Sequence, residues 1–423
     1  TRINADGSRD ELKPRREFGE PALRYNWNTP VILSPHNPDV VYFGANRLFR
    51  SMDKGETWTA ISGDLSRSDK RGDVPFATLT TLSESSLQFG LIWAGTDDGQ
   101  VWVTDSSGVR WTDVAGKLPR DRWVSRVETS SHVRERAYVT LNGYRDDDIR
   151  AYVYRTDDLG RNFKDISKGL PDEAVNVIRE DPVVADILYV GTDRGVYVST
   201  NGGDSWAALQ GGLPNVPVHD LVVHPREREL VAGTHGRSIW IVDVLPLQDL
   251  VEAGGDTALK VFYVDEVQAS RGWRSERSRW WFRPDEAPQT TIKYWSTDAG
   301  PATIEIVDTN ENVVQRLDAE AAKGMNSTEW GLLVDEDLAL AAEAASLENA
   351  EGDKTDTEDE VLNLANTPYA ESVRLGHALY AIPGDYKVRI SVGENSDSTG
   401  LKINAPEPFE PRFREAYKLR GKK

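Results

Sequence analysis

Four stretches of this chain rhyme with one another: Ser51-Met-Asp-Lys-Gly-Glu-Thr-Trp58, Thr104-Asp-Ser-Ser-Gly-Val-Arg-Trp111, Thr156-Asp-Asp-Leu-Gly-Arg-Asn-Phe163 and Ser199-Thr-Asn-Gly-Gly-Asp-Ser-Trp206. Each reads hydroxyl, x, Asp-like, x, Gly, x, x, aromatic. A unit returning about every 40 to 55 residues means a repeat architecture, and a repeat constrains the fold before any single element is considered. The short polar side chain in the third place (Asp53, Asp158, Asn201) can accept hydrogen bonds from backbone N–H groups of its own turn. Gly55, Gly108, Gly160 and Gly203 supply a positive φ. Trp58, Trp111, Phe163 and Trp206 are placed to pack between neighbouring units. These residues read as elements of the fold, not as a ligand or metal site. Two copies depart from the pattern: Ser106 stands where an acid is expected, and Phe163 where Trp is expected.

A longer phrase surrounds each motif. An extended run ends in a Pro-rich or charged turn, as in Pro30 to His36, Val175 to Pro182 and Val218 to Pro225. A short apolar strand then leads into Gly: Val40 to Gly44, Leu91 to Gly95, Ile187 to Gly191, Leu230 to Gly233. After a turn such as Thr96-Asp-Asp-Gly99 comes a third strand, then the motif, a fourth strand and a closing Gly-x-Leu-Pro or Gly-Leu-Pro. Four short strands rich in Val, Ile and aromatic residues, divided by Gly and Asp turns, match a β-propeller blade. Five blades are predicted over residues 27–247, and the fifth breaks off after Asp243 without the motif. Five blades can close a wheel. The incomplete fifth implies that the N-terminal segment, residues 1–26, supplies the missing strand or that another polypeptide completes the ring.

From 248 to 288 the pattern lapses. Trp273, Trp280, Trp281 and Phe282 stand among Arg271, Arg274, Arg277, Arg279 and Arg283. This reads as a linker packing its aromatics on the propeller, with an aromatic platform for glycan or protein as the sharper alternative. Alternation returns over 289–405 and predicts a small immunoglobulin-like β-sandwich. It is interrupted by an Ala- and acid-rich insertion, 335–372, in which Leu338 to Leu347 can form one helix and 348–360 reads as a solvated acidic loop. A Pro-rich, then basic, tail follows over 406–423. The fold class is therefore all-β: propeller blades, then a sandwich.

With 423 residues, two or more domains are expected. The absence of cysteine excludes disulfides and thiolate metal sites. The six histidines are scattered, so no metal and no cofactor is expected; Asp146 to Asp148 reads as a solvated loop ahead of a weak Ca²⁺ site. A formal charge of −19 argues against a nucleic-acid backbone or an anionic membrane as partner. No apolar run approaches the roughly 20 residues that span a bilayer. No signal peptide is visible and the first residue is Thr1, which fits a mature chain, a trimmed one or a fragment.

The Ser51 to Trp58 motif resembles the Asp-box of bacterial neuraminidase repeats. Wider phrases are more specific: Arg24 to Pro30, Ser34 to Pro38, Phe43 to Ser51, Trp123 to Arg126, Val175 to Pro182, Val218 to Pro225 and Gly233 to Trp240. They resemble exported bacterial proteins described as sortilin-like or xyloglucanase-like, with Asp-box propellers, closely over Arg24 to about Leu250 and more loosely beyond 289. The resemblance implies a C-terminal half of a longer protein, located in the periplasm, on the cell surface or outside the cell.

In a blade, the motif turn and the turn between second and third strands lie on opposite faces. The second face carries Asn46, Arg47, Asp97, Asp98, Trp123, Arg126, Asn142, Tyr144, Arg145, Asp146, Asp193, Arg194, His219, His235 and Arg237. Of these, Arg47, Trp123, Arg126, Arg194, His219, His235 and Arg237 are the candidates for holding a polar ligand. Asp97, Asp98, Asp146 and Asp193 are the weak candidates for a carboxylate pair of the kind glycoside hydrolases use. Two functions stay open. One is a non-catalytic binding and assembly module that docks a protein, peptide or glycan. The other is a xyloglucanase-like or sialidase-like hydrolase.

Overall fold

The computed structural model describes residues 2–67, 76–209, 213–252, 254, 257–270, 273, 288–352 and 367–406. The chain divides into two compact units, 1–255 and 256–423.

The first unit opens with a hairpin, β1 (Arg2–Ile3) and β2 (Arg9–Asp10). Blade one is β3 (Val31–Leu33), β4 (Val41–Gly44), β5 (Leu48–Ser51) and β6 (Thr59–Ala60). Blade two is β7 (Leu79–Glu84), β8 (Ile92–Thr96), β9 (Val101–Thr104) and β10 (Thr112–Asp113). Blade three is β11 (Trp123–Thr129), β12 (Ala137–Gly143), β13 (Asp148–Thr156) and β14 (Lys164–Asp165). Blade four is β15 (Val175–Glu180), β16 (Leu188–Thr192), β17 (Gly195–Ser199) and β18 (Ala207–Ala208). Among the described residues blade five holds three strands, β19 (Val218–His224), β20 (Glu229–Thr234) and β21 (Ile239–Asp243). Every blade is an antiparallel meander in chain order. The first strands β7, β11, β15 and β19 are neighbours across successive blades, so they converge on the axis. Strands β8 and β16 are buried along their whole length, because sheets cover both of their faces.

The recurring turns form one hydrogen-bond net, repeated. In the first copy the Ser51 hydroxyl accepts from the backbone N–H of Asp53 (3.2 Å) and of Gly55 (2.7 Å), and donates to the Asp53 carboxylate. That carboxylate accepts from Thr57 N–H (2.9 Å) and from its hydroxyl (2.6 Å). These donors hold Asp53 at about 2, below the usual carboxylate range, with the Thr57 hydroxyl the largest cause. Thr156 with Asp158, and Ser199 with Asn201, repeat the pattern. Ser106 fills the acid's place in the second copy, its hydroxyl accepting from Arg110 N–H at 3.2 Å.

The glycines in these turns face the preceding blade. A Cβ on Gly108 would lie 2.5 Å from the carbonyl oxygen of Ile61, and one on Gly203 would lie 2.8 Å from Ile166 Cδ1. The indoles reach the same carbonyls: Trp111 Nε1 donates to Ile61 O (2.9 Å) and Trp206 Nε1 to Ile166 O (2.7 Å). Phe163 keeps the packing and has no N–H to donate.

Among the described residues no strand closes the wheel. Strand β2 pairs with β1, and β21 pairs there with β20 alone, so the N-terminal hairpin does not supply the fourth strand of blade five. Within the N-terminal segment residues 2–10 form that hairpin, 11–26 run on without helix or strand, and Leu12 packs on Gly55 of blade one. After β21 the chain enters helix α1 (Leu245–Glu252), whose Gln248 donates to the buried Asp181 carboxylate at 2.8 Å.

The expected 248–288 linker is not one element. Its start is the end of α1, and it contains β22 (Leu259–Val261) and β23 (Val267–Gln268), both strands of the second unit. Trp273 packs on that unit's core, its ring 5.8 Å from Tyr380. Trp280, Trp281, Phe282, Arg271, Arg274, Arg277, Arg279 and Arg283 lie outside the described residues. The unit continues with β24 (Thr290–Ser296), β25 (Gly300–Val307), β26 (Val313–Ala321), β27 (Gly324–Trp330), β28 (Gly384–Val392) and β29 (Asn395–Asn404). One sheet has the order β22-β24-β27 and the other β23-β29-β28-β25-β26. Ile292, Tyr294 and Trp330 of the first meet Ile304, Val388 and Ile390 of the second in one core. The insertion carries two helices where one was expected, α2 (Glu336–Gly352) and α3 (Pro368–Arg374). The Glu343 carboxylate of α2 accepts from the Tyr369 N–H of α3 at 2.8 Å. Of the acidic loop expected over 348–360, residues 348–352 instead continue helix α2, and 353–360 and the tail beyond 406 lie outside the described residues.

Candidate functional site

Strand register decides what the face opposite the recurring turns can present. Each converging first strand carries a β-bulge near its start: between Leu79 and Thr81, Val124 and Arg126, Val175 and Val177, and Val218 and Asp220. A bulge turns one extra side chain out of the ladder. Those side chains are Thr80, Ser125, Asn176 and His219. Thr80 donates to Val124 O of the next blade (2.7 Å), and Ser125 to Val175 O (2.8 Å). Asn176 accepts from Asn142 and donates to Asp193, both at 2.9 Å. His219, on the last blade, stacks on His235 with ring centroids 5.3 Å apart.

A charged network follows along the axis. Arg126 and Glu128 alternate on β11, Arg179 lies on β15 and Asp220 on β19. The Asp220 carboxylate accepts from Arg126 (2.5 Å) and Arg179 (3.2 Å). Arg179 also pairs with Glu128 and donates from Nε to Leu221 O at 2.6 Å. Burial pushes Glu128 above its ordinary value, opposed by Arg179 and Arg126. Burial, then the like charge of Arg179, pulls Arg126 down. Arg126 Nε is buried and makes no hydrogen bond.

The structure separates the other sequence candidates into small local sets. Asp97 and Asp98 are both buried. Asp97 accepts from the Thr78 N–H (2.9 Å) and hydroxyl (2.7 Å), and burial raises its pKa. Asp98 accepts from the Thr96 hydroxyl and from Arg67 N–H (2.8 Å). Both tie blade two to its flanking loops. Asp146 lies 3.8 Å from the Arg122 guanidinium. Asp148 binds Arg122, Arg150 and Tyr152, and these donors, Arg150 first, hold it well below the carboxylate range. Arg145 lies 4.2 Å over the Trp123 ring. Arg47 pairs with Glu20 at 3.1 Å. Arg194, His235 and Arg237 are exposed at the rim. Sequence reading found Arg126 and missed Glu128, Arg179 and Asp220. The available signal was charge at alternate positions of otherwise apolar first strands. A cavity of about 590 Å³ opens on the other rim, lined by Arg110, Lys117, Leu159 and Arg161, and none of the candidates lines it. Among the described residues no group of three or more His, Asp or Glu could hold a metal ion, and no helix is long and apolar enough to cross a membrane.

Five antiparallel meanders converging through their first strands define a β-propeller chain. No family model matches it. Sortilin of Rattus norvegicus and of Mus musculus is each 28% identical over 163 residues, 37% of this chain and 18% of the relative. The chain thus spans under a fifth of those relatives. Among solved structures, the GH74 xyloglucanase from Xanthomonas campestris matches with a TM-score of 0.41 and 18% identity, over 50% of this chain and 36% of that one. The Niastella koreensis GH74 enzyme matches with a TM-score of 0.40 and 13% identity, over 88% and 56%.

Proposed function

We propose that this chain is a non-catalytic binding and assembly module of an exported bacterial protein, docking a protein, peptide or glycan on the axis face of its blades. The observation that carries this reading is the use already made of the face's acids. Asp97 and Asp98 are buried and bonded into loops, and Asp193 holds Asn176. A hydrolase of the two-carboxylate kind needs acids free to protonate and to attack. The Arg126, Arg179 and Asp220 group, next to the His219–His235 stack, instead offers donors and a carboxylate suited to recognition. The recurring turns fit the Asp-box type, because hydroxyl, acid and glycine are joined as that motif requires. The sandwich fits an immunoglobulin-like module, because a three-stranded and a mainly antiparallel five-stranded sheet share one core.

The test is a glycan-hydrolysis screen of the chain and of single Asn variants at Asp97, Asp98, Asp146 and Asp193, run beside ligand capture with Arg126→Ala. Capture lost in Arg126→Ala without turnover is the expected result. Robust turnover abolished by one Asn variant would sink the proposal in favour of a hydrolase.

A further inference from the structure

The fourth strand has the same job in each complete blade. Two residues pair with the third strand, and the next is a branched aliphatic residue whose N–H reaches a third-strand carbonyl. Ile61 donates to Leu48 O, Val114 to Val101 O and Ile166 to Val153 O, each at 2.9 Å, and Leu209 to Val196 O at 2.8 Å. Blade five keeps the third strand that receives these bonds. Its Ser238-Ile-Trp-Ile-Val-Asp243 parallels Gln100-Val-Trp-Val-Thr-Asp105 of blade two. Strand β21 is paired to β20 from Ile239 to Asp243, and among the described residues nothing pairs with its other side. Ile239 and Ile241 are 67% and 61% exposed. Beside them an apolar cavity of about 30 Å³, lined by Val196, Leu209, Leu213, Leu230, Trp240 and Ile241, continues the packed interface between blades four and five.

A bare edge of this kind is a template for another strand. We infer that β21 receives a fourth strand from a separate polypeptide. That strand is an extended segment of two small or polar residues followed by Ile, Val or Leu. Its aliphatic N–H bonds Ile239 O, and its side chain fills the groove. The inference rests on the binding-module reading and adds where a partner attaches and in what conformation. A second copy of this chain does not match the need. Its free outer hairpin, β1–β2, packs on blade one as the third and fourth strands of a preceding unit, with Leu12 at Gly55 where Ile61 stands at Gly108. Blade five already has a third strand and would be offered another.

The probe is a fluorescein-labelled peptide with the sequence of residues 203–214, which includes the fourth strand of blade four, Ala207–Ala208. It is titrated into the full chain and followed by polarisation. Saturable binding is expected. It should weaken by at least roughly tenfold when the leucine corresponding to Leu209 is N-methylated, since one backbone bond is deleted. Ile241→Pro should also abolish it, because that N–H points away from β20 and an edge strand tolerates proline. Equal binding of the methylated peptide, or none of the parent peptide, would overturn the inference. So would a dimer in native mass spectrometry that Ile241→Pro dissociates, since the occupant would then be a second copy. Neither result bears on capture at Arg126, so the two proposals fail separately.

Discussion

Replacing Gly108 by alanine tests the contact that joins one blade to the next. Gly108 has φ +91°, and its missing Cβ would sit 2.5 Å from Ile61 O and 2.8 Å from Ile61 Cβ. Alanine in the left-handed region costs about 1 kcal/mol. Moving a backbone carbonyl in a packed interface costs about 1–3 kcal/mol more. That carbonyl also accepts the Trp111 indole, a bond of about 1 kcal/mol. The expected loss is therefore about 3–5 kcal/mol. Gly236→Ala is the control: its φ is +83°, but nothing lies within 4 Å of the added methyl, so only the strain remains. Urea unfolding followed by tryptophan fluorescence should place the Gly108→Ala midpoint well below that of Gly236→Ala. Equal midpoints would mean that the glycine serves only its own turn and that the blade-to-blade reasoning is wrong.

Trp111→Phe should destabilise by about 0.5–1.5 kcal/mol more than Trp58→Phe, measured by the same unfolding, because Trp58 Nε1 has no acceptor to lose. Asp53, held at about 2 when folded, contributes stability that is present above the unfolded carboxylate value near 3.8 and is lost as pH falls toward 2. A thermal-melt series should show that decline flattened in Asp53→Asn, and steepened when Asn201→Asp adds a third titrating turn beside Asp53 and Asp158. Arg179→Met should cost about 1–3 kcal/mol by leaving the part-buried Glu128 without its hydrogen-bonded partner, while Arg179→Met with Glu128→Leu recovers much of the loss in urea unfolding.

These perturbations fall where the sequence was readable and where it was not. The blades were legible because each is local: alternating strands, a turn with its own hydrogen-bond net, and a glycine at positive φ lie within about 50 residues of one another. Even Ser106, which breaks the motif, could be placed by its neighbours Thr104 and Gly108. The charged axis was not legible as a unit. Arg126 and Asp220 are 94 positions apart, and only the convergence of first strands brings them to 2.5 Å. Strands β22 and β23 escaped for a different reason. They have three and two residues, too few to show alternation, and are fixed by partners at Tyr294 to Ser296 and Ile403 to Asn404.

The N-terminal hairpin shows why the ends of a repeat array are harder to read than its middle. A middle blade declares itself through its own turn and through the next blade's glycine, and the two signals agree. Strands β1 and β2 carry neither the hydroxyl–acid–glycine spacing nor the aromatic; an Asp6–Ser8 turn replaces them. Their identity rests on what they touch. Leu12 packs on Gly55 as Val114 packs on Gly160, and Arg2 binds Glu56 at 2.7 Å. Trp58 then separates packing from bonding. Its ring meets Phe43 edge-on at 5.7 Å, yet its N–H finds no carbonyl where Trp111 and Trp206 find one. Leu12 thus reproduces the apolar half of the blade contact and omits the polar half. If that omission is what leaves blade one the weaker end, amide exchange should be faster at Thr59 to Ile61 than at Thr112 to Val114. Equal protection at the two sites would show that apolar packing alone holds a blade in place.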